Sequence, residues 1–121
     1  ATAGLNTASR ADMAKAAAAV LSSDGHENRI YEIAAPKLWT MKELAQALTD
    51  VSGKSVELKP VTVAEYERIL AGTGMPAPVA AMFAALCGQL EEGEFAQTSD
   101  DLAKLIGETT PLEAVVKRAL G

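Results

Sequence analysis

Trp39-Thr40-Met41-Lys42-Glu43-Leu44-Ala45-Gln46-Ala47-Leu48 contains a complete helix start. A threonine hydroxyl accepts from the first free N–H groups, and an acid three residues on reaches back to the threonine's own N–H, so two open donors are satisfied reciprocally. Trp39 and Leu44 flank the cap as an apolar staple, and Met41, Leu44, Ala45 and Leu48 recur at helical spacing. The same signature stands at Ser9 to Asp12, Thr62 to Glu65, Thr98 to Asp101 and Thr110 to Glu113. Val61 and Tyr66 supply a second staple, and Pro111 falls at a first helical position where its missing N–H is harmless. Five helix starts are therefore expected, with stops at Gly25, Gly53, Gly72 and Gly107 just past the periodic residues.

Further stripes, Leu102, Leu105 and Ile106, then Leu112, Val115, Val116 and Ala119, have the spacing of faces turned to a core. The stretch Ala77 to Leu90 is apolar on nearly every side, which makes it a central helix or one packed on something outside this chain. Glu91-Glu92-Gly93-Glu94 after it reads as a solvated loop. Strand signals are fewer: Arg29 to Ala34, Ser55 to Lys59, and Leu5 to Thr7 as a third. The fold class expected is α/β, mainly helical, with two or three short strands. Strands so few and short do not form a stable sheet alone, so the sheet is expected to continue in a segment outside these residues. The opening Ala1-Thr2-Ala3-Gly4-Leu5-Asn6 has no initiator Met, no charged leader and no apolar leader core, which carries the same expectation.

A chain of 121 residues is one domain or part of one. Ala, Leu and Val dominate its apolar half and only five residues are aromatic, a composition suited to close helix packing. A net charge of -5 without a basic run argues against nucleic acid and anionic membrane surfaces as partners. The longest apolar run, Val79 to Cys87, is too short to span a bilayer. The lone Cys87 among Ala84, Ala85 and Leu86 reads as a small buried hydrophobe, and a cytoplasmic location fits best.

The chemistry is sparse. No Gly-rich turn joins a strand to a helix, so no residue here is assigned to a dinucleotide; Gly72 and Gly74 precede Pro76 and Pro78 and mark a break between helices. The only histidine, His26, lies in the polar turn Ser22 to Asn28 and reads as a surface residue rather than a base beside Asp24 and Glu27. No second ligand pair accompanies it, and no metal is expected. Arg10 is the most informative charge: it stands in a helix's first turn, where the dipole disfavours a cation, and so serves either a ligand or an ion pair with Asp12 or another carboxylate.

The order of these pieces resembles a known family. Ser9-Arg10-Ala11-Asp12-Met13-Ala14-Lys15, then Tyr31-Glu32-Ile33-Ala34, Trp39-Thr40-Met41-Lys42-Glu43-Leu44-Ala45, and Leu102-Ala103-Lys104-Leu105-Ile106-Gly107 with Thr110-Pro111-Leu112-Glu113 are similar to the C-terminal half of atypical short-chain dehydrogenases, in the NmrA-like group that holds quinone and triphenylmethane reductases. The resemblance spans essentially residues 1 to 121. It implies that a Rossmann-type dinucleotide-binding domain, absent here, holds NADP or NAD, and that this substrate-side domain completes the sheet and closes one side of the cleft. Arg10 and Asp12 then sit near that cleft, and the segment from 74 to 93 covers the substrate, with Met75, Met82 and Phe83 as candidate walls for an apolar ring. No catalytic acid carries over, since Tyr31 is followed four residues on by Ala35 and Tyr66 by Leu70 where the dehydrogenase pattern has Lys.

The expected function is thus the substrate-binding part of an NAD(P)H-dependent oxidoreductase that passes hydride to a quinone or similar flat acceptor, with this chain alone inactive. Three alternatives stand beside it. One is a non-catalytic NAD(P) redox sensor of the same group. Another is a sugar-nucleotide epimerase-like enzyme, weakened because only Arg68 is available in the covering helices for a diphosphate. The third is a standalone interaction module that forms a homo-oligomer through the apolar helix at 77 to 90.

Overall fold

In a computed structural model, residues 3 to 121 are described, and the reading placed on Ala1 and Thr2 lies outside them. The chain forms α1 (Arg10–Leu21), α2 (Met41–Ser52), α3 (Val63–Gly72), α4 (Ala77–Glu91), α5 (Asp101–Ile106) and α6 (Leu112–Leu120). They pack pairwise: α1 on α5, α2 on α6, and α3 on α4.

Three of the five expected caps form as read. Ser9, Thr40 and Thr62 accept from the N–H three residues on, and at Thr40 and Thr62 the glutamate closes the box. The Thr62 N–H and hydroxyl, at 2.8 and 3.0 Å, hold the Glu65 carboxyl below its ordinary pKa. The other two caps do not form, because tertiary partners take their groups. Asp101 accepts from the Glu32 N–H at 2.9 Å and α5 starts without a side-chain cap. Thr110 turns to Asp12, so Pro111 is the N-cap of α6 rather than its first residue, and the helix starts one residue later than expected. Of the expected stops, Gly53 caps α2 in the left-handed conformation and Gly107 caps α5. α1 ends earlier, on Ser22, while Gly72 is the last residue of α3 and Thr73 its cap.

The expectation of two or three strands is not met. Among the described residues the only β pairing is one antiparallel bridge between Leu5 and Trp39. The reason lies in partners rather than propensity, since a strand is defined by its ladder. The N–H groups of Ile30, Tyr31 and Ile33 meet no acceptor among the described residues, nor do those of Glu57, Leu58 and Lys59, while Ile30 is 89 % exposed. Both segments have strand sequences and no pairing strand among the described residues.

The buried core is small: Leu5, Ala16, Ala47, Ala80, Ala84, Leu102 and Val116. The accessible surface is 8538 Å², against about 6,200 Å² for a compact monomer of this mass. Helix α4 accounts for part of the difference. It is not central: Ala80 and Ala84 are buried, whereas Met82, Phe83 and Leu86 stay exposed and Cys87, expected buried, is only half-buried. No helix among the described residues is long and apolar enough to cross a membrane.

Caps that form and caps that do not have different expected costs. Thr40→Ala should lower stability by about 1 kcal/mol in urea unfolding, whereas Thr98→Ala, with no cap to lose, should stay within about 0.5 kcal/mol of the parent.

Candidate functional site

The site is built from the chain's first residues. Leu5 exchanges backbone hydrogen bonds with Trp39 at 2.7 and 3.0 Å, and the Ala35 N–H donates to the Asn6 carbonyl at 2.6 Å, so residues 5 to 7 lie along residues 35 to 39. The Trp39 indole N–H is shared between the Thr7 carbonyl and hydroxyl, at 3.2 and 3.1 Å. This fixes the ring against the segment that leads into α1.

Ser9 then caps α1, and Asp12 occupies the position from which a capping-box acid would reach back. It does not reach back. Its carboxylate is 1 % exposed and accepts instead from the Thr110 N–H at 2.6 Å and the Thr110 hydroxyl at 2.7 Å, across 98 residues of chain. Lys15 stands 3.9 Å away on the next turn. Burial pushes the Asp12 pKa up, but the two Thr110 donors, the Lys15 charge and the Ser9 contact outweigh it and hold the carboxyl below its usual range. Asp12 thus stays ionised and ties the start of α1 to the start of α6.

Beside this clamp opens a cleft of about 610 Å³, within the range of small-molecule sites. Its apolar walls include Trp39, Leu38, Ala47, Leu112 and Val115. Glu43, Asp50 and Glu113 also line it, against a single cation, Lys37. That balance suits an apolar molecule better than a pyrophosphate, which calls for cations or a helix N-terminus free of carboxylates.

Of the residues singled out in the sequence, Asp12 lines the cleft, and there its bonding is that of an anchor. Arg10 is exposed and outside the lining; the expected ion pair with Asp12 is not formed, Lys15 taking that place. Met75 is half-buried, and Met82 and Phe83 are exposed on α4; none of the three lines the cleft.

His26 differs from its reading as a solvated surface residue. Its Nε2 is 2.7 Å from the Ser23 hydroxyl and its Nδ1 is 2.6 Å from the Tyr31 hydroxyl. Ser23 donates its one proton to the Ala19 carbonyl at 2.7 Å. The chain therefore runs Tyr31 O–H to Nδ1, Nε2–H to Ser23, Ser23 to Ala19, and the serine is not deprotonated by the imidazole. The relay clips the turn to the end of α1. Among the described residues no group of three His, Cys, Asp or Glu is placed to hold a metal ion.

Both the Thr110 partner of Asp12 and the Thr7 partner of Trp39 escaped sequence reasoning. Each pair joins segments far apart in the chain, and each threonine had a sufficient local use as a cap or a strand residue.

With this geometry in view, the comparisons are specific. No protein-family model matches the chain. Quinone oxidoreductase 2 of Escherichia coli is 39 % identical over 104 residues, covering 86 % of this chain and 36 % of the relative. Its crystal structure as an NADPH-dependent quinone oxidoreductase, complexed with NADPH, superposes with a TM-score of 0.89 at 37 % identity, over 98 % of this chain and 42 % of the other. Triphenylmethane reductase of Citrobacter sp. superposes with a TM-score of 0.94 at 45 % identity, over 99 % of this chain and 42 % of that one, and has also been solved complexed with NADP(H). A nucleoside-diphosphate-sugar epimerase of Staphylococcus aureus shares the fold, with a TM-score of 0.83 at 22 % identity. By sequence and fold the chain is similar to these NmrA-like proteins, and it spans about two-fifths of the length of the relatives it matches.

Asp12→Ala should cost about 3 kcal/mol, since it leaves two Thr110 donors facing an apolar gap; urea unfolding measures it. The pH dependence follows in sign. The folded pKa lies below the ordinary 3.8, so the contribution is present above that value and is lost as pH falls towards the folded pKa. Below about pH 4 the parent's urea midpoint should fall more steeply than that of Asp12→Asn.

Proposed function

We propose that this chain is the substrate-side, C-terminal part of an NAD(P)H-dependent oxidoreductase that delivers hydride to a quinone or similar flat acceptor. The observation that carries the reading is the near-complete overlap with two NADP(H)-linked reductases, at identities far above those of a merely shared fold. The cleft supports it: apolar walls around Trp39 suit a flat ring, and carboxylates at its edge suit a site that leaves the cofactor's phosphates to other residues.

On this reading the dinucleotide, NADP or NAD, is held mainly by a Rossmann-type domain outside residues 1 to 121, and the hydride chemistry belongs to that cofactor. The chain's own part is to bind the acceptor, orient it and keep water away. Asp12 acts at one remove, as the anchor that keeps the starts of α1 and α6 together beside the cleft. Arg10, Met75, Met82 and Phe83 are the further substrate-side residues of this proposal, with no metal involved. The chain alone is inert, and the full protein works in the cytoplasm.

A second reading, an interaction module that associates through α4, draws support from exposed Met82, Phe83 and Leu86. One experiment tests the first reading. Residues 1–121 are fused behind the nucleotide-binding portion of the Escherichia coli quinone oxidoreductase, and NADPH oxidation is followed with a quinone present. The fusion should turn over, while the isolated chain should neither turn over nor transfer energy from Trp39 to NADPH. A fusion that folds and binds NADPH yet never oxidises it favours a sensor, and micromolar NADPH binding by the isolated chain overturns the substrate-side assignment.

A further inference from the structure

Among the aspartates and asparagines of the chain, Asp24 alone is followed by glycine. A backbone nitrogen can attack the side-chain carboxyl carbon of a preceding aspartate and close a five-membered ring, and a side chain on the attacking residue obstructs the approach. Glycine has none. In a folded protein the reaction asks for an open neighbour, an attacking N–H that no acceptor holds, and a carboxyl that no donor holds. Asp24–Gly25 meets all three. Both residues are exposed, and Gly25 stands at φ 88 with nothing within 4 Å of the place a Cβ would take. Among the described residues the Gly25 N–H meets no acceptor, and the Asp24 carboxyl makes no hydrogen bond or ion pair.

Each of the other positions fails a condition. The Asp12 carboxylate is buried and held by Thr110, Asp50 accepts from the Gln46 amide at 2.8 Å, and Asp101 accepts from the Glu32 N–H. After Asp100, the Asp101 N–H donates to the Ser99 hydroxyl at 3.2 Å. After Asn28, the Arg29 N–H donates to the His26 carbonyl at 3.3 Å. Asn6 precedes the β-branched Thr7, and its side-chain amide donates to the Gln97 carbonyl at 2.8 Å.

The same two residues lie inside a clip. Ser23 and His26, 2.7 Å apart, bracket them, Ser23 is tied to the Ala19 carbonyl on α1, and the other imidazole nitrogen meets the Tyr31 hydroxyl at 2.6 Å. We propose that Asp24–Gly25 is a self-modifying site, at which succinimide formation and hydrolysis yield isoaspartate and unfasten the clip between α1 and Tyr31. In the first step the Gly25 nitrogen bonds to Cγ of Asp24, a C–O bond breaks, and the amide proton leaves with the carboxyl's OH as water. A water molecule then adds to one of the two imide carbonyls. Addition at Cγ restores aspartate. Addition at the backbone carbonyl carbon leaves the main chain running through Cβ and Cγ, with the former carbonyl as a free carboxylate. No reactant other than water enters, and the charge is the same before and after. The chain between Ser23 and His26 is then one methylene longer, and the short hydrogen bond between them loses its register.

Ageing the unmodified chain at neutral pH in water enriched in oxygen-18 tests this, because each cycle deposits one heavy oxygen at residue 24. The label is read by mass spectrometry on the tryptic peptide that ends at Arg29, with fragmentation placing it at Asp24 rather than Asn28. The folded chain should gain it about as fast as the chain unfolded in urea. Asp24→Glu, whose longer side chain would have to close a six-membered ring, should lose the gain while folding as the parent does. If only transiently unfolded molecules reacted, folding would slow labelling by about a thousandfold or more, and slowing of that order overturns the proposal. So does equal labelling of Asp12, Asp50 or Asp101 in the folded chain. In the isoaspartyl fraction, separated by chromatography, the ring signals of His26, the only histidine, should move to their positions in the unfolded chain. Isoaspartate at residue 24 with those signals unmoved overturns the unfastening.

Discussion

The carboxylate of Asp12 is the constraint around which the cleft is organised. A charged group that is 1 % exposed is costly unless its lone pairs are met, and here both oxygens are met by one residue, Thr110, through its N–H and its hydroxyl. The bond count is what lets the charge stay: two short donors and a lysine one turn away offset the burial that would otherwise neutralise it. In exchange the starts of α1 and α6, far apart in sequence, are held beside each other. With the Leu5–Trp39 bridge and the Thr7–Trp39 indole bond, this frames the walls of the cleft.

Away from that anchor the structure is open, and the openness is informative. Among the described residues seven apolar side chains are buried, while Leu21 and Ile30 stand almost entirely in water. A soluble domain does not ordinarily leave side chains of this kind beside backbone segments that lack hydrogen-bond partners. Among the described residues the N–H groups of Ile30, Tyr31 and Ile33 and of residues 57 to 59 find no acceptor, and both segments have strand character.

How far the chain was legible follows the range of each interaction. Ser9, Thr40 and Thr62 could be read as caps because donor and acceptor lie three residues apart and nothing else competes for them. Thr98 and Thr110 carry the same local pattern and do not cap. Asp101 finds the Glu32 N–H and Thr110 finds Asp12, and in both cases a partner from a distant segment outbids a local one of similar strength. The strands failed as expectations for the complementary reason, having the right residues and no neighbour. His26 was misjudged because a polar turn conceals who faces whom; only the fold brings Ser23 and Tyr31 to its two nitrogens.

The sequence by itself determined where α1, α2 and α3 begin, the net negative charge, the lack of a Gly-rich strand-to-helix turn within these residues and the likeness to nicotinamide-linked reductases, since each of these is written in residues a few places apart or in their order. The tertiary structure alone decided that Asp12 is an anchor with Lys15 rather than Arg10 beside it, that the cleft lies between α1, α2 and α6 while α3 and α4 pack on each other and on no other helix, and that Met82 and Phe83 face away from burial. Those outcomes depend on which groups meet across dozens of residues, where hydrogen bonds of nearly equal strength are ranked by geometry and burial rather than by sequence distance.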